Sequence, residues 1–150
     1  MSHQEQGVTL IELAVTVVIV GILASIAVPS YRNYVLRANR TEGRAALLAL
    51  ATAQEKFYMQ CNTYTATLDP DAATDCDTGQ LQFPISSERG YYTITVTAAD
   101  ATGWTAAAEP AGDSPQLKDV DCQRYGLTST GAKSARTSAD ALNSSECWGK

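Results

Sequence analysis

The stretch that decides the fold runs from Gly7 to Val28 and reads GVTLIELAVTVVIVGILASIAV. Over the 21 residues from Val8 to Val28, the only charged side chain is that of Glu12. A helix of that length rises about 30 Å at 1.5 Å per residue, which matches the hydrocarbon core of a bilayer. The stretch therefore predicts a membrane-spanning helix near the start of the chain.

Glu12 is the residue that a plain membrane anchor does not need. An ionised carboxylate inside a bilayer costs about 2.5–3.5 kcal/mol on insertion scales, so it predicts a function and a partner. If the chain were cut between Gly7 and Val8, the new α-amine would lie one helical turn from Glu12. An α-ammonium group is therefore the predicted partner.

Two ordinary interpretations of this stretch leave Glu12 unexplained. A secretory signal would use the small residues Ser25-Ile26-Ala27 as its cleavage site, but the first six residues contain no Lys or Arg. A simple anchor needs only the apolar residues.

A third interpretation comes from a resemblance. Gly7-Val8-Thr9-Leu10-Ile11-Glu12-Leu13, followed by Ile22-Leu23-Ala24-Ser25-Ile26-Ala27-Val28-Pro29-Ser30-Tyr31-Arg32-Asn33-Tyr34, resembles the N-terminus of type IV pilins and related pseudopilins. The resemblance implies that a prepilin peptidase cuts after Gly7 and N-methylates Val8. It also implies a subunit held in the bacterial inner membrane through residues 8–28, with its head in the periplasm.

Such a subunit would then be extracted by an inner-membrane assembly platform into a helical fibre with other pilin subunits. The fibre itself, or its periplasmic base, would be the final location. This chain has Val8 where the family usually has phenylalanine, and its leader offers only His3 in place of the usual Lys or Arg.

For Glu12 we expect a role in assembly. Its carboxylate would pair with the α-ammonium of Val8 on a neighbouring subunit and set the axial register. Removing one partner of a buried ion pair costs about 3–5 kcal/mol. The alternative is that Glu12 only complements the positive N-terminus of its own helix, which is worth about 0.3–1 kcal/mol.

Charge is unevenly distributed along the rest of the chain. Residues 30–60 carry a net charge of +3 and residues 61–150 a net charge of −6. The basic stretch would meet lipid headgroups, a neighbour's acidic surface or only solvent. Because phosphate contacts need clustered Lys and Arg, the acidic part predicts no nucleic-acid partner.

The four cysteines, Cys61, Cys76, Cys122 and Cys147, lie beyond the membrane segment and suit an oxidising compartment. Of the three possible connectivities, we prefer the sequential one because it closes two short loops. Zinc is the competing interpretation, but the chain has no C-x-x-C pair and His3 is its only histidine. The aspartates between residues 69 and 77 lack the spacing of an EF-hand and suit turns. We expect no metal and no cofactor.

Secondary structure beyond the membrane segment follows the apolar spacing. The helix should continue to about Met59, with a kink at Gly21 and Pro29, and should bury a stripe of Ala46, Leu50, Ala53 and Phe57. After a loop over residues 61–90, the alternation from Tyr91 to Ala99 predicts a strand. Its predicted inner face is Tyr92, Ile94, Val96 and Ala98. Strands at Trp104–Glu109, at Cys122–Thr128 and near Lys133 should complete antiparallel hairpins.

Residues Leu47 through Thr65 and the ending from Cys122 to Trp148 resemble PilE-type type IV pilins. The resemblance implies an α+β pilin fold, in which a long helix packs on an antiparallel sheet and a Cys122–Cys147 disulfide bounds a C-terminal loop. The implied organisation is a leader (1–7), a membrane and assembly segment (8–30) and a head domain (31–150).

The implied function is a structural subunit of a type IV pilus, of the minor kind that helps to initiate assembly. The alternatives are a type II secretion pseudopilin and a specialised adhesive or DNA-binding pilin. For DNA binding the candidates would be Arg124, Lys133, Arg136, Trp148 and Lys150. Catalysis is not expected, since no histidine remains after cleavage at Gly7 and the sequence shows no catalytic constellation.

Overall fold

The structure is a computed structural model that describes residues 9–149, so the predicted cleavage site at Gly7 and Val8 lies outside the described residues. Contacts divide the chain into two units, with the boundary between Val35 and Leu36. Its elements in chain order are α1 (Leu10–Cys61), β1 (Thr67–Leu68), β2 (Gln80–Leu81), β3 (Tyr92–Ala99), β4 (Trp104–Pro110), a 3-10 turn (Pro115–Lys118), β5 (Arg124–Thr128), β6 (Lys133–Arg136) and α2 (Ser144–Cys147).

Helix α1 is continuous through both predicted kink residues, Gly21 and Pro29. Pro29 has no N–H to donate to the preceding turn, so a bend there stays a prediction. The first part of α1 is long and apolar enough to cross a membrane by length and composition. Its large side chains are exposed from Leu10 to Val28.

The second part of α1 buries one side against a sheet. The buried residues include Leu47, Leu50, Gln54 and Phe57, and the predicted stripe residues Ala46 and Ala53 are partly buried and pack against the same core. The prediction left out Gln54, because a polar side chain is typical of the surface. Its amide nitrogen donates to the Thr65 carbonyl (2.6 Å) and its amide oxygen accepts from the Thr65 N–H (3.2 Å). A buried amide with both ends bonded carries little desolvation cost.

The sheet is antiparallel, with strand order β3-β4-β5-β6, and it confirms the predicted α+β class and both hairpins. Tyr92 and Ile94 point into the core as expected. The prediction for Ala98 was wrong. A register shift between Val96 and Ala98 adds a residue to β3, which exposes Ala98 and turns Ala99 toward the core.

The segment between α1 and β3 is mostly loop, as predicted, with β1 and β2 as a short parallel pair. Its aspartates hold turns. Asp69 accepts from the N–H groups of Asp71 (2.9 Å) and Ala72 (3.2 Å), and Asp75 accepts from that of Asp77 (3.0 Å). The carboxylates therefore act on the local backbone, in the manner of Asx turns.

Gly43 marks a close approach of α1 to the sheet. A Cβ built there would lie 3.1 Å from three ring atoms of Tyr92, which is fully buried. The hydroxyl of Tyr92 is held by the side chain of Gln116 at 2.9 Å, so the ring has little freedom to move aside. Helix and sheet can meet at this point because glycine has no side chain.

We predict that Gly43→Ala lowers the free energy of unfolding by about 1 kcal/mol. Overpacking costs about 1–3 kcal/mol, which outweighs a gain of about 1 kcal/mol in helix propensity. Denaturant unfolding of the full chain in detergent measures the change. The matched control is Gly112→Ala, whose Cβ meets nothing within 4 Å. Equal stability of the two variants would contradict the close-packing argument.

Candidate functional site

The first turn of α1 places Glu12 at the start of the apolar helix. Thr9 caps this turn, since its hydroxyl oxygen accepts from the Glu12 N–H (3.3 Å) and its carbonyl from the Leu13 N–H (3.1 Å). Thr16 donates its hydroxyl to the carbonyls of Glu12 (2.7 Å) and Leu13 (2.9 Å), so its polar group is satisfied within the helix. The side chain of Glu12 is left as the charged group of this turn.

Within residues 9–149 the structure gives the Glu12 carboxylate no ion pair, and the neighbouring large side chains are exposed, Leu10 to 87%. Val8, the predicted source of an α-ammonium group, lies outside the described residues. The described arrangement is thus a carboxylate with no ion pair among residues 9–149, in the first turn of a helix whose apolar surface is exposed.

A buried ion pair connects α1 to the C-terminal part of the head. The Arg40 guanidinium donates to both carboxylate oxygens of Asp119, each at 2.7 Å, and more weakly to Asp121 at 3.5 Å. The side chains of Arg40 and Asp119 are only 8% and 2% exposed. The hydrogen bond to Asp119 raises the pKa of Arg40, against the opposing effect of burial.

Asp119 also orders the chain that follows it, because its carboxylate accepts from the Cys122 N–H at 3.3 Å. Cys122 is bonded to Cys147, with their Cα atoms 5.6 Å apart. The ion pair of Arg40 therefore extends, through one carboxylate, to the disulfide that bounds the C-terminal loop. The other disulfide joins Cys61 at the end of α1 to Cys76, with a Cα–Cα distance of 5.3 Å.

A polar contact lies beside this ion pair. Gln116 is fully buried, and its amide donates to the Leu36 carbonyl (3.1 Å) and the Tyr92 hydroxyl (2.9 Å). Burial raises the pKa of both Tyr92 and Tyr125. Neutral phenols are therefore the stable form in this part of the core.

Trp148, near the C-terminus, packs beside Tyr125 and binds both the sheet and α1. The Trp148 ring meets the Tyr125 ring edge-on at 5.9 Å, and its indole N–H donates to the Ser134 carbonyl (2.7 Å). Arg44 of α1 donates to the Trp148 carbonyl at 2.9 Å. The C-terminal loop is thereby bound to helix, sheet and disulfide together.

A second carboxylate on α1 holds the loop before β3. Glu42 accepts from the Ser87 hydroxyl (2.5 Å), the Arg89 N–H (2.9 Å) and the Arg89 guanidinium (2.8 Å). Burial acts to raise the pKa of Glu42, but these hydrogen bonds together outweigh burial and leave its pKa below the usual value. Glu42 is thus held as a carboxylate.

The arginines proposed as DNA contacts are engaged with carboxylates. Arg124 pairs with Glu109, and Arg136 lies 3.3 Å from Asp140. Lys133 stands 5.3 Å above the Trp148 ring. Lys150 lies outside the described residues. This side of the head is therefore mixed in charge.

The structure pairs the cysteines sequentially, as preferred from the sequence, and the role of Glu12 stays a prediction. The sequence interpretation missed Arg40, Glu42, Asp119 and Gln116. It counted Arg40 among exposed basic residues because its partner lies 79 positions away. The missed residues share no short spacing, so their pairing becomes visible only when α1 meets the sheet. For Gln116 the signal in the sequence is the Ser114-Pro115 pair, which favours a short helical turn, and Ser114 caps that turn in the structure.

Comparison with known families identifies this arrangement. A family model described as "Type IV minor pilin ComP, DNA uptake sequence receptor" matches residues 29–126, about two thirds of the chain. The prokaryotic N-terminal methylation motif matches residues 2–28.

The chain belongs to the type IV pilin family.

Curated relatives agree with this assignment. The type IV major pilin protein PilA of Myxococcus xanthus is 32% identical over 128 residues, which are 84% of this pilin and 54% of PilA. The type IV major pilin protein PilE1 of Neisseria gonorrhoeae is 29% identical over 119 residues, which are 79% of this pilin and 51% of PilE1. The pilin thus spans about half the length of these relatives.

A crystal structure of the non-core minor pilin PilV of Neisseria meningitidis matches with a TM-score of 0.49 and 19% identity. The match covers 72% of this pilin and 93% of PilV.

We predict that Arg40→Met lowers the free energy of unfolding by about 3–5 kcal/mol, because it leaves the Asp119 carboxylate buried without its partner. The double variant Arg40→Met/Asp119→Leu should recover most of that loss, since neither charge remains. Denaturant unfolding of the full chain measures both. The control is Arg136→Gln, in an exposed pair worth at most about 1 kcal/mol. A double variant no more stable than Arg40→Met would show that the charge is not the cause.

Proposed function

We propose that this pilin is a minor subunit of a type IV pilus that works in pilus assembly. Prepilin peptidase cuts it after Gly7 and N-methylates Val8. Residues 8–28 hold it in the inner membrane with the head in the periplasm, and an assembly platform then moves it into the fibre. The observation that carries the proposal is the position of Glu12, a lone carboxylate in the first turn of an uncovered apolar helix.

The charge of Glu12 explains why assembly needs the cleavage. Cutting after Gly7 creates an α-ammonium group within one turn of the carboxylate, so each subunit carries one positive and one negative group at the same end. In an apolar fibre core these two groups would pair between neighbouring subunits, because each is costly when buried alone. A subunit placed one turn out of register would leave both charges unpaired.

The minor role is supported by the description of the matching family model as a minor pilin. A type II secretion pseudopilin is the alternative within the superfamily. The Cys122–Cys147 disulfide, which bounds a C-terminal loop, favours the pilus subunit. Type IV pilins are structural proteins, and catalysis is not part of this proposal.

Processing and assembly can be tested in one strain pair, with and without the peptidase. N-terminal sequencing and intact mass under non-reducing conditions should show a chain that starts at methylated Val8, with both disulfides intact, only when the peptidase is present. A chain that starts at Val28 would instead indicate an ordinary secreted protein and overturn the proposal.

In the same strains we predict that Glu12→Gln is absent from sheared fibres or reduced at least tenfold, since the amide cannot pair with an α-ammonium group. Its head should remain folded and oxidised. The matched control is Glu55→Gln, an exposed carboxylate on the head part of α1. Normal incorporation of Glu12→Gln would reject the intermolecular pairing and leave only the interaction with the helix's own N-terminus.

DNA binding is a second candidate, favoured by the phrase "DNA uptake sequence receptor" in the family description. The charge of this chain opposes general binding to phosphate, since residues 61–150 carry a net charge of −6. Arg40, Arg89, Arg124 and Arg136 are all paired with carboxylates. Lys118 and Lys133 are therefore the first residues to test.

We predict that the full pilin in detergent does not retard random-sequence duplex DNA, even at low salt. Retardation that weakens in Lys118→Gln and Lys133→Gln, with the salt slope reduced by about one per lysine, would establish the DNA candidate instead. Lys56→Gln, on the opposite end of the head sequence, serves as the charge-matched control.

A further inference from the structure

Three side chains just after the apolar segment have no partner among the residues that the structure describes. Tyr31 and Tyr34 are 68% and 70% exposed, and Arg32 is exposed beside them. Within residues 9–149 the structure gives none of the three a hydrogen bond, an ion pair or a ring contact. Together they are called the Tyr31–Tyr34 belt.

The other residues of the same types are engaged. Tyr58 stacks on Tyr64, Tyr92 meets Tyr125 edge-on, and Tyr91 lies under Arg89. On the helix, Arg40 binds Asp119 and Arg44 binds the Trp148 carbonyl, and Arg37 also has an interaction. The belt therefore differs from the head, in which aromatic and guanidinium groups are used for packing and hydrogen bonding.

The angular positions of the belt residues favour a lipid surface over a protein groove as the binding partner. At about 100° per residue, Arg32 lies about 100° to one side of Tyr31, and Tyr34 lies about 60° to the other side. The three side chains are spread around nearly half of the helix yet lie within one turn along its axis. A partner helix or groove covers one narrow stripe, whereas a membrane surface surrounds a helix at one level.

The axial position also agrees with a membrane surface. From Leu10 to Val28 the helix rises about 27 Å, close to the thickness of a hydrocarbon core. Tyr31 and Tyr34 follow Val28 by about 4.5 Å and 9 Å along the axis. The headgroup layer extends about 5–8 Å on each side of the core, so Tyr31 and Arg32 lie at its level and Tyr34 at its outer edge.

We propose that the Tyr31–Tyr34 belt is a lipid-binding site in which Arg32 binds the phosphate of an anionic lipid headgroup and the two tyrosines lie at the membrane–water boundary. Tyrosine is suited to this position because its ring is apolar and its hydroxyl is polar. The belt would fix the depth of the subunit before assembly. This inference rests on the proposed membrane-held state, since a chain outside the bilayer has no use for such a site.

The test uses the full pilin with Ser30→Cys, because the four native cysteines are paired and the new thiol alone accepts a fluorophore. The labelled protein is reconstituted into vesicles that contain a nitroxide on either the headgroup or the middle of the acyl chain. We expect stronger quenching by the headgroup nitroxide. With headgroup-labelled phosphatidylglycerol and phosphatidylcholine compared at low salt, we expect about a fivefold preference for phosphatidylglycerol.

Arg32→Gln should abolish that preference, and Tyr31→Ala/Tyr34→Ala should change the ratio of headgroup to acyl-chain quenching. Lys56→Gln removes an exposed charge from the head part of α1 and should change neither. A preference that survives Arg32→Gln would overturn the lipid site.

The outcomes also distinguish failure of the lipid site from failure of the proposed membrane-held state. Dominant quenching by the acyl-chain nitroxide would place Ser30 inside the core, which overturns the belt but leaves the membrane-held state intact. Absence of quenching by either lipid would overturn both.

Discussion

One helix has an exposed apolar part and a part that packs against a sheet, and this constraint explains most of the structure. Helix α1 is apolar on all sides from Leu10 to Val28, and the described chain covers none of that surface. Beyond Asn39 the same helix buries one side beneath the sheet. Burial of apolar surface contributes about 25 cal/mol per Å², so the uncovered part needs a bilayer or other helices to gain the same stabilisation. The proposed function rests on the uncovered part of α1, and the folding of the head rests on the covered part.

Polar groups on α1 add directional contacts between the helix and the rest of the head. The sheet contributes the small residues Ala106 and Ala108 to the buried side of β4. Arg40 and Glu42 add multiple hydrogen bonds to the segments before β5 and before β3. Such bonds are directional, so they fix the position of the loops as well as contributing stability.

The sequence predicted the parts of the fold whose signals are local. Strand β3 and its hairpin with the strand at Trp104 were predicted because alternation is a short-range pattern. Glu12 was selected as a candidate because a charge stands out in an apolar run. The exposed position of Ala98 was missed because a bulge depends on the register of the neighbouring strand. The pairs Arg40–Asp119 and Gln54–Thr65 were missed because burial of a polar side chain depends on a distant partner, and spacing along one chain contains no such information.

The distribution of stabilising contacts has a consequence for assembly. Both disulfides, the Arg40–Asp119 pair and the Glu42 hydrogen bonds all lie in the unit that begins at Leu36. In the described part before Leu36, the short side-chain bonds of Thr16 stay within the helix. Under the proposed function, exchange of lipid for neighbouring helices around Leu10–Val28 therefore leaves the disulfides, the Arg40–Asp119 pair and the Glu42 hydrogen bonds in place. We expect such a subunit to leave the membrane without unfolding, because the exposed apolar surface lies before Leu36 and these contacts lie after it.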